Sequence, residues 1–321
     1  MLRMLPQGGA ILCLHGIRSG SQPDGGGIHV DAPRLAGVLD VARSVGRIVP
    51  VDVLIERHAG GKSTSGLIAI TFDDACLSVR ELAVPMLRAA GAPASIFAVR
   101  DAAEHGSVYW WDRLSLLESV MSADEWTRFG TAIGLSAAAR AGRAERARDT
   151  IVTRHRGALP HEAAEVFAAV EARLGTASYD RSMTTSELEK LGREPLFTLG
   201  VHTVTHRALP LLSDEEVRRE VADCYAWLRD VTPSPLPLLA IPYGLRDDRT
   251  RRIALGAGMR DVLRIAPRTV RATTAANGFP RFMVSERRSG WKLGAGLAGL
   301  QELARTLGLR GGPDDPVMPA A

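Results

Sequence analysis

The sequence predicts an α/β fold in which parallel strands are joined by crossover helices. Short apolar runs alternate along the chain with segments whose apolar residues recur at helical spacing. This alternation is typical of a parallel sheet with helices packed against it. With 321 residues, 45% of them hydrophobic, the chain is long enough for one large α/β barrel or for two ordinary domains.

The individual elements follow from the apolar patterns. Helices are predicted from Asp31, from about Val79 to a stop at Gly91, and from a capping box at Ser213 to about Arg229. The predicted strands are residues 10–14, 67–71, 94–99, 197–201, 238–241, 262–265 and about 282–284.

The strand pattern stops in the middle of the chain and resumes later. Ala- and Arg-rich helical sequence fills about residues 110–175, so we predict a helical insertion packed at one side of the strand core. We take residues 1–310 as one domain that contains this insertion. Residues 311–321, with three prolines and two aspartates, are expected to be a disordered tail.

Charge and cysteine content argue against several classes of protein. The formal net charge of +4 is too small to indicate binding to nucleic acid or to a membrane surface. Cys13, Cys76 and Cys224 form no Cys-x-x-Cys pair, which predicts neither a disulfide framework nor a thiolate zinc site. The first residues lack a signal-peptide core, and no run reaches the roughly 18 apolar residues of a membrane span. We therefore expect a cytoplasmic protein.

Two adjacent carboxylates, Asp73 and Asp74, follow directly on one of the predicted strands. Neighbouring carboxylates repel each other, so a cation or a shared proton is expected beside them. The carboxyl ends of strands in α/β folds are also where ligand sites are built. The alternative is that Asp74 only caps the next helix.

Two histidines, His202 and His206, follow the predicted strand at residues 197–201. If the chain is helical here, their spacing places both imidazoles on one face, as in many zinc sites. A pair of surface histidines is the alternative. Together with an aspartate of the earlier pair, they would give three ligands and leave positions for water and substrate, the layout of a catalytic metal site.

Three motifs in succession resemble those of the polysaccharide deacetylases, the family 4 carbohydrate esterases. They are Thr-Phe-Asp-Asp at residues 71–74, His-Thr-Val-Thr-His at residues 202–206 and Ile-Pro-Tyr-Gly at residues 241–244. The stretch at residues 110–114 and the Pro280-Arg281 pair are similar to those of bacterial exopolysaccharide-associated members. The resemblance covers about residues 10–290, apart from much of the predicted insertion.

The resemblance implies a distorted (β/α) barrel and a divalent metal, usually zinc, with cobalt or nickel as alternatives. Carried over residue by residue, it makes Asp74, His202 and His206 the metal ligands and Asp73 the general base. The backbone N–H of Tyr243 would donate to the oxyanion. The implied function is a metal-dependent hydrolase that removes acetyl groups from an N-acetylated sugar or glycan.

The chain departs from the family pattern at the acid and at the residue that orients the base. No histidine follows His206, so the usual late acid is missing. His15 is the candidate, since it is similar to the His of an N-terminal Tyr-His-Arg motif in permuted members; a buried structural histidine is the alternative. Ala240 stands where an arginine is often found. Arg281 is the candidate replacement, grouped with Tyr243 at the substrate and oxyanion site, unless it is a surface or core-edge arginine.

Other functions remain open at this stage. Ala75 replaces the glycine that usually follows the second aspartate, and Cys76 comes next. Together with Ala240, these departures leave metal binding intact and put the substrate class and the turnover rate in question. A hydrolase of a non-sugar amide would use the same site. An inactive sugar-binding barrel is the rival from another class, favoured by Ala240 and by the missing late histidine. Asp73 argues against it because a binding module needs no general base.

Overall fold

The computed structural model of this protein describes residues 8–19, 27–135, 143–175, 179–245, 247–271, 278–285 and 296–297. The predicted tail at residues 311–321 lies outside these ranges. The strands are β1 (Ala10–Leu14), β2 (Ile17–Arg18), β3 (Val30–Asp31), β4 (Arg47–Ile48), β5 (Leu67–Phe72), β6 (Ala94–Ala98), β7 (Phe197–Val201), β8 (Leu236–Ala240), β9 (Asp261–Ile265) and β10 (Phe279–Met283).

Seven of these strands form a closed parallel barrel. Each strand of the series β5 to β10 pairs with the next, and β1 pairs with both β5 and β10, which closes the ring. Strand β4 pairs with the beginning of β5, whereas β2 and β3 pair only with each other. The barrel fold implied by the resemblance is confirmed.

The apolar runs reflect burial on both faces of the barrel strands. All five residues of β1 are buried, with Leu12 in the larger cluster, which holds residues of several helices, and Ile11 in a smaller one, whose helical residues are Val51, Leu54 and Ile55. Because side chains alternate along a strand, one set packs outward and the other fills the barrel. Towards the carboxyl ends of the strands the interior set becomes polar and includes Cys13, Thr71 and Arg281.

Helices surround the barrel. They are α1 (Ala32–Val45), α2 (Val51–Ala59), α3 (Val84–Ala90), α4 (Arg100–His105), α5 (Trp110–Leu117), α6 (Ala123–Ile133), α7 (Arg143–Arg154), α8 (His161–Leu174), α9 (Thr185–Leu191), α10 (Asp214–Val231) and α11 (Asp248–Gly256). A π-helical turn, Val79–Ala83, leads into α3. Asp31 caps α1 and Ser213 caps α10 with a full capping box, as their sequences predict.

The stretch between β6 and β7 contains helices α4 to α9. Helices α5 to α8 share a core of their own, in which the rings of Phe129 and Phe167 stack 4.9 Å apart. Within residues 110–135 and 143–174, the structure describes no strand. Among the described helices, none is both long enough and apolar enough to cross a membrane.

Candidate active site

The candidate site lies where the barrel strands end. Asp73 and Asp74 follow β5, His15 follows β1, His202 follows β7, and Tyr243 comes three residues after the end of β8. In a parallel barrel all of these strand ends meet at the same rim. The closure of the barrel therefore brings together side chains that are more than 200 residues apart in the sequence.

Asp74, His202 and His206 converge on one point. The Nε2 atoms of His202 and His206 lie 3.4 Å and 3.3 Å from Oδ1 of Asp74, and all three side chains are buried. Nδ1 of His202 lies 2.8 Å from the carbonyl oxygen of Ala240. If Nδ1 carries the proton and donates it there, Nε2 keeps its lone pair towards Asp74.

The two histidines reach this point without a helix, so the helical arrangement considered for residues 202–206 does not occur, although the two imidazoles do face one point. The chain after β7 is a loop in which Thr203 and His206 adopt left-handed backbone angles, with φ of 73° and 55°. The hydroxyl of Thr203 accepts a hydrogen bond of 2.9 Å from the His206 N–H. This local turn folds His206 back beside His202, with ring centroids 4.8 Å apart.

Asp74 also has a left-handed backbone, with φ of 68°. The following helical turn starts at Val79, after Ser78, so the alternative that Asp74 caps that helix is wrong. The Tyr109 hydroxyl donates to the backbone carbonyl of Asp74 over 2.7 Å. Burial by itself raises the pKa of Asp74, but the two neighbouring imidazoles hold it well below its ordinary value. Asp74 is therefore a carboxylate at neutral pH.

Asp73 forms an ion pair with Arg281 inside the barrel. The two terminal nitrogens of Arg281 donate to the two carboxylate oxygens over 2.7 Å and 2.6 Å. Arg281 is 0% exposed, which rules out the surface alternative. Burial raises the pKa of Asp73, but the charge and hydrogen bonds of Arg281 lower it to about 2. Asp73 is thus held in the form that can accept a proton.

The same geometry bears on the substrate role predicted for Arg281. Its Nη1 also contacts the Thr71 hydroxyl over 3.2 Å, and its guanidinium lies 5.8 Å from the ring centroid of Phe97. Arg281 is not among the described residues that line the cavity at the rim. Its contacts are those of a residue that orients Asp73, the role for which it was the candidate, and its grouping with substrate and oxyanion residues stays a prediction.

His15 lies beside this ion pair. It is 8% exposed and lines the cavity, and its Nδ1 has no hydrogen-bond partner among the described residues. Ligand atoms of Cys13, His15 and Asp73 lie within 4.8 Å of one another. Burial lowers the pKa of His15, although both aspartates of the site oppose this change. The neutral imidazole is therefore favoured when the site is at rest.

A cavity of about 240 Å³ opens above these groups. Its floor contains both aspartates and three histidines, and its walls are largely apolar and aromatic. The Trp111 ring stacks on Tyr109 with centroids 4.5 Å apart and lies 4.6 Å from the His206 ring. Trp110 donates from its indole nitrogen to the carbonyl of Gly157 over 2.9 Å. A concave apolar pocket with a few convergent polar groups is typical of a small-molecule site.

Comparisons with known proteins agree with this site. The family model for polysaccharide deacetylase matches residues 159–262, which contain the second and third motifs. Solved structures of deacetylases have a similar fold. The deacetylase PplD of Streptococcus pyogenes, in complex with acetate, superposes with a TM-score of 0.58 at 13% identity, over 90% of this chain and 97% of its own.

Two further solved structures are similar. They are IcaB from Ammonifex degensii, with a TM-score of 0.58 at 19% identity over 91% of this chain and 97% of its own, and the deacetylase domain of BpsB from Bordetella bronchiseptica, with a TM-score of 0.52 at 16% identity over 88% and 96%. The resemblance to polysaccharide deacetylases is confirmed. A comparison with curated protein sequences finds no match.

The arrangement of atoms at this site is suited to holding a metal. Oδ1 of Asp74 is buried without a hydrogen-bond partner among the described residues, although two imidazole nitrogens face it. Two imidazoles and a carboxylate are ligands that zinc and similar borderline ions prefer. Asp74, His202 and His206 therefore fit a divalent ion.

Sequence reasoning missed Cys13 at this site and set aside His29, which is also buried. The Cys13 thiol lies 3.4 Å from Oδ2 of Asp73, whereas Cys76 belongs to neither of the described ligand groups. Cys13 and His15 are two residues apart, so strand alternation could have placed them on one face. His29, which has no partner at ligand spacing in the sequence, is buried with Nε2 3.4 Å from Asp112 Oδ1. That contact joins segments too distant for a spacing argument.

Proposed function

We propose that the protein is a metal-dependent hydrolase that removes the acetyl group from an N-acetylated sugar or glycan. The observation that carries this proposal is the pairing of two adjacent carboxylates with different environments. Asp73 faces a buried arginine, and Asp74 faces two imidazoles. One is suited to accept a proton and the other to hold a cation, and both line the same cavity.

In this proposal Asp74, His202 and His206 hold the metal, with zinc as the first choice and cobalt or nickel as alternatives. When bound, such an ion polarises the acetamide carbonyl and lowers the pKa of water. The left-handed turn at Tyr243, with φ of 60°, lies at the same cavity, and its N–H is proposed to donate to the oxyanion.

The proton transfers fall to the chain's own side chains. As water adds to the carbonyl carbon, Asp73 takes its proton, while Arg281 keeps both carboxylate oxygens in place. The C–N bond then breaks, acetate leaves, and the departing nitrogen needs a proton. His15 is neutral at rest, lines the same cavity and lies within reach of Asp73. We assign it as the donor, which passes to the nitrogen the proton that Asp73 has taken from water.

Two sequence departures favoured an inactive sugar-binding barrel, and both have a structural substitute. Arg281, in β10, contacts the base in place of the arginine that is missing at position 240 in β8. His15 lies at the rim and can supply the acid that is missing because no histidine follows His206. We therefore favour an active enzyme. We also propose that it acts in the cytoplasm, since all three cysteines are free and buried.

The test of the proposal is acetate release from a panel of N-acetylated sugars and oligosaccharides, with and without a chelator. We expect release that stops when the chelator is added and returns with zinc, cobalt or nickel. Release from non-sugar amides alone would favour the alternative hydrolase. Metal-loaded, folded protein that cleaves neither class would support the inactive barrel.

The base is tested in the same assay with Asp73→Asn. Loss of a general base typically costs about 10²–10⁴-fold in rate. The variant leaves Arg281 without its carboxylate, so its metal content and thermal unfolding are measured on the same sample. Asp124→Asn serves as the control for loss of one carboxylate, because Asp124 is an exposed residue in the first turn of α6. Wild-type rates for Asp73→Asn would remove Asp73 from the base role.

A further inference from the structure

One cation in the wall of the cavity is used by no step of the proposed reaction. Arg148 lies in α7 of the helical stretch, is partly buried, and lines the cavity together with the two aspartates. Its Nη2 donates to the Ser115 hydroxyl over 2.9 Å. Its Nε is buried without a hydrogen-bond partner among the described residues. A guanidinium offers five donors, so most of its hydrogen-bonding capacity stays available.

The charges around the cavity leave Arg148 uncompensated. The negative charge of Asp73 is balanced by Arg281, and Asp74 faces the two imidazoles of the metal set. Within the described part of the chain, no carboxylate lies at ion-pair distance from Arg148. With a divalent ion bound at Asp74, the cavity carries a net positive charge, and a positive cavity favours an anionic ligand.

We propose that Arg148 is a specificity-determining residue that binds an anionic group, a phosphate or a carboxylate, carried by the N-acetylated sugar. This inference rests on the proposed function, because the metal and Asp73 fix where the acetamide lies. A guanidinium fork matches both kinds of anion with two parallel hydrogen bonds. The hydroxyl of Ser115 holds one arm of the fork and leaves the other nitrogens for the ligand.

The surroundings of Arg148 favour a substrate that carries both a sugar face and a charge. Trp110 and Trp111 line the same cavity and come from α5, so the aromatic wall and the cation belong to the same group of helices. Aromatic rings offer an apolar face to the C–H surface of a sugar, while the arginine selects charge. The helices of residues 110–174 are thereby the part of the chain that sets which sugar is accepted.

The experiment compares matched neutral and anionic ligands on wild-type protein and on Arg148→Met. Kinetics use N-acetylglucosamine, its 1-phosphate, its 6-phosphate and its uronate form. Calorimetry uses the corresponding hexosamines, which have no acetyl group to lose, so binding is measured whether or not the protein is a deacetylase. Arg154→Met, on the same helix with an exposed side chain, is the control for loss of one positive charge.

We expect at least one anionic form to bind wild-type protein tighter than its neutral partner by about tenfold to hundredfold, the range of a charged hydrogen bond. Arg148→Met should remove this preference, chiefly through KM, and leave the neutral sugar and the melting temperature little changed. Comparison of the two phosphates with the uronate shows whether Arg148 binds a phosphate or a carboxylate. Arg154→Met should keep the preference.

Other outcomes overturn the inference. Equal affinity of wild-type protein for neutral and anionic sugars would do so. So would an Arg148→Met variant whose affinities for neutral and anionic sugars fall by the same factor. Anion-selective binding without acetate release from any sugar would instead count against the proposed function and leave the binding role of Arg148 standing.

Discussion

At the residue scale, the site is built from unusual backbone angles. Left-handed φ values occur within the three motifs or directly after one of them, at Asp74, Ala75, Thr203, His206 and Tyr243. Such angles cost about 1–3 kcal/mol each for residues other than glycine. The hydrogen bond from the His206 N–H to Thr203 offsets part of this cost. The strain places ligand and oxyanion groups where a regular helix or strand could not.

The residue types of the site could be predicted, but its geometry could not. Asp74 and His202 follow buried strands, and strand ends meet at one rim, so their proximity follows from the fold class. The left-handed turn at His206 depends on single φ values, which leave no periodic trace in a sequence. The Asp73–Arg281 pair joins β5 to β10, and only closure of the barrel brings them together.

His15 gives the sharpest residue-scale prediction. His15→Gln should keep the fold and the metal but lower acetamide cleavage by about 10²–10⁴-fold, since the departing amine would lack its proton. Activated aryl acetates need no such proton, so the variant should cleave them at close to the wild-type rate. The comparison of the two substrate types measures the acid role separately from any loss of packing. An equal deficit on both substrates would assign His15 a structural role.

At the element scale, short connections hold the loop that follows Asp74. The Leu77 N–H donates to the backbone carbonyl of Arg181 over 2.7 Å, and the Met183 N–H donates to the backbone carbonyl of Ala75 over 2.8 Å. Arg181 in turn forms two hydrogen bonds with Glu187, which completes the capping box of α9. The capping residues are visible in the sequence. Their link to the Asp74 loop is not, because it crosses about a hundred residues.

Glu187 tests this connection through pH. Hydrogen bonds from Arg181, opposed by burial, lower the pKa of Glu187 from 4.5 to about 2. A depressed folded-state pKa adds stability that is present above the unfolded value and lost as the pH falls towards the folded value. With screening at this partly exposed pair, Glu187→Gln should lower the unfolding free energy by about 1–2 kcal/mol at pH 7. The difference should vanish between about pH 4.5 and pH 2.

Denaturant unfolding at several pH values measures this contribution, with Glu189→Gln on the same helix as the control. A deficit for Glu187→Gln that is unchanged at pH 3 would mean that the carboxylate charge is not its source.

Gly157 is the second element-scale test, because it ties the helices between β6 and β7 to the rim. Its φ is 85°, and an added Cβ would lie 2.7 Å from the Tyr243 ring. Gly91 is also left-handed, with φ of 57°, and none of the described atoms lies within 4 Å of such a Cβ. Gly157→Ala should therefore cost about 1–3 kcal/mol more than Gly91→Ala through overpacking.

The expected functional result is a fall in kcat for Gly157→Ala only, with zinc content unchanged, because the shift reaches the Tyr243 turn and spares the ligands. Steady-state kinetics and calorimetric unfolding of the two variants provide the comparison. Equal stability and activity of both variants would show that the contact between Gly157 and Tyr243 does not transmit strain.

At the scale of the whole molecule, the sequence predicts all seven barrel strands, since each is an apolar run buried on both faces. The last strand begins at Phe279, earlier than predicted. Pro280 and Arg281 lie inside this strand, but they interrupt the apolar run from which its start was predicted. Strands β2, β3 and β4 have two residues each, too few to show a period. Closure through β1 is a property of the complete ring and is absent from any local pattern.

Because the proposed ligands come from the ends of β5 and β7, metal binding should stabilise the whole barrel. A ligand present at about 100 times its Kd adds about 2.7 kcal/mol to the folded state if it does not bind the unfolded chain. For a chain of this size that corresponds to a rise in melting temperature of roughly 5 °C. We expect zinc, cobalt or nickel to produce this rise and a chelator to reverse it.

Two variants test which residues bind the ion. His206→Ala should abolish the rise in melting temperature, whereas His161→Ala should keep it, because the side chain of His161 is 83% exposed on α8. Scanning calorimetry of the three proteins with and without metal provides the measurement. Identical melting of wild-type protein in all of these conditions would show that Asp74, His202 and His206 hold no ion, and the metal-dependent mechanism would fail with them.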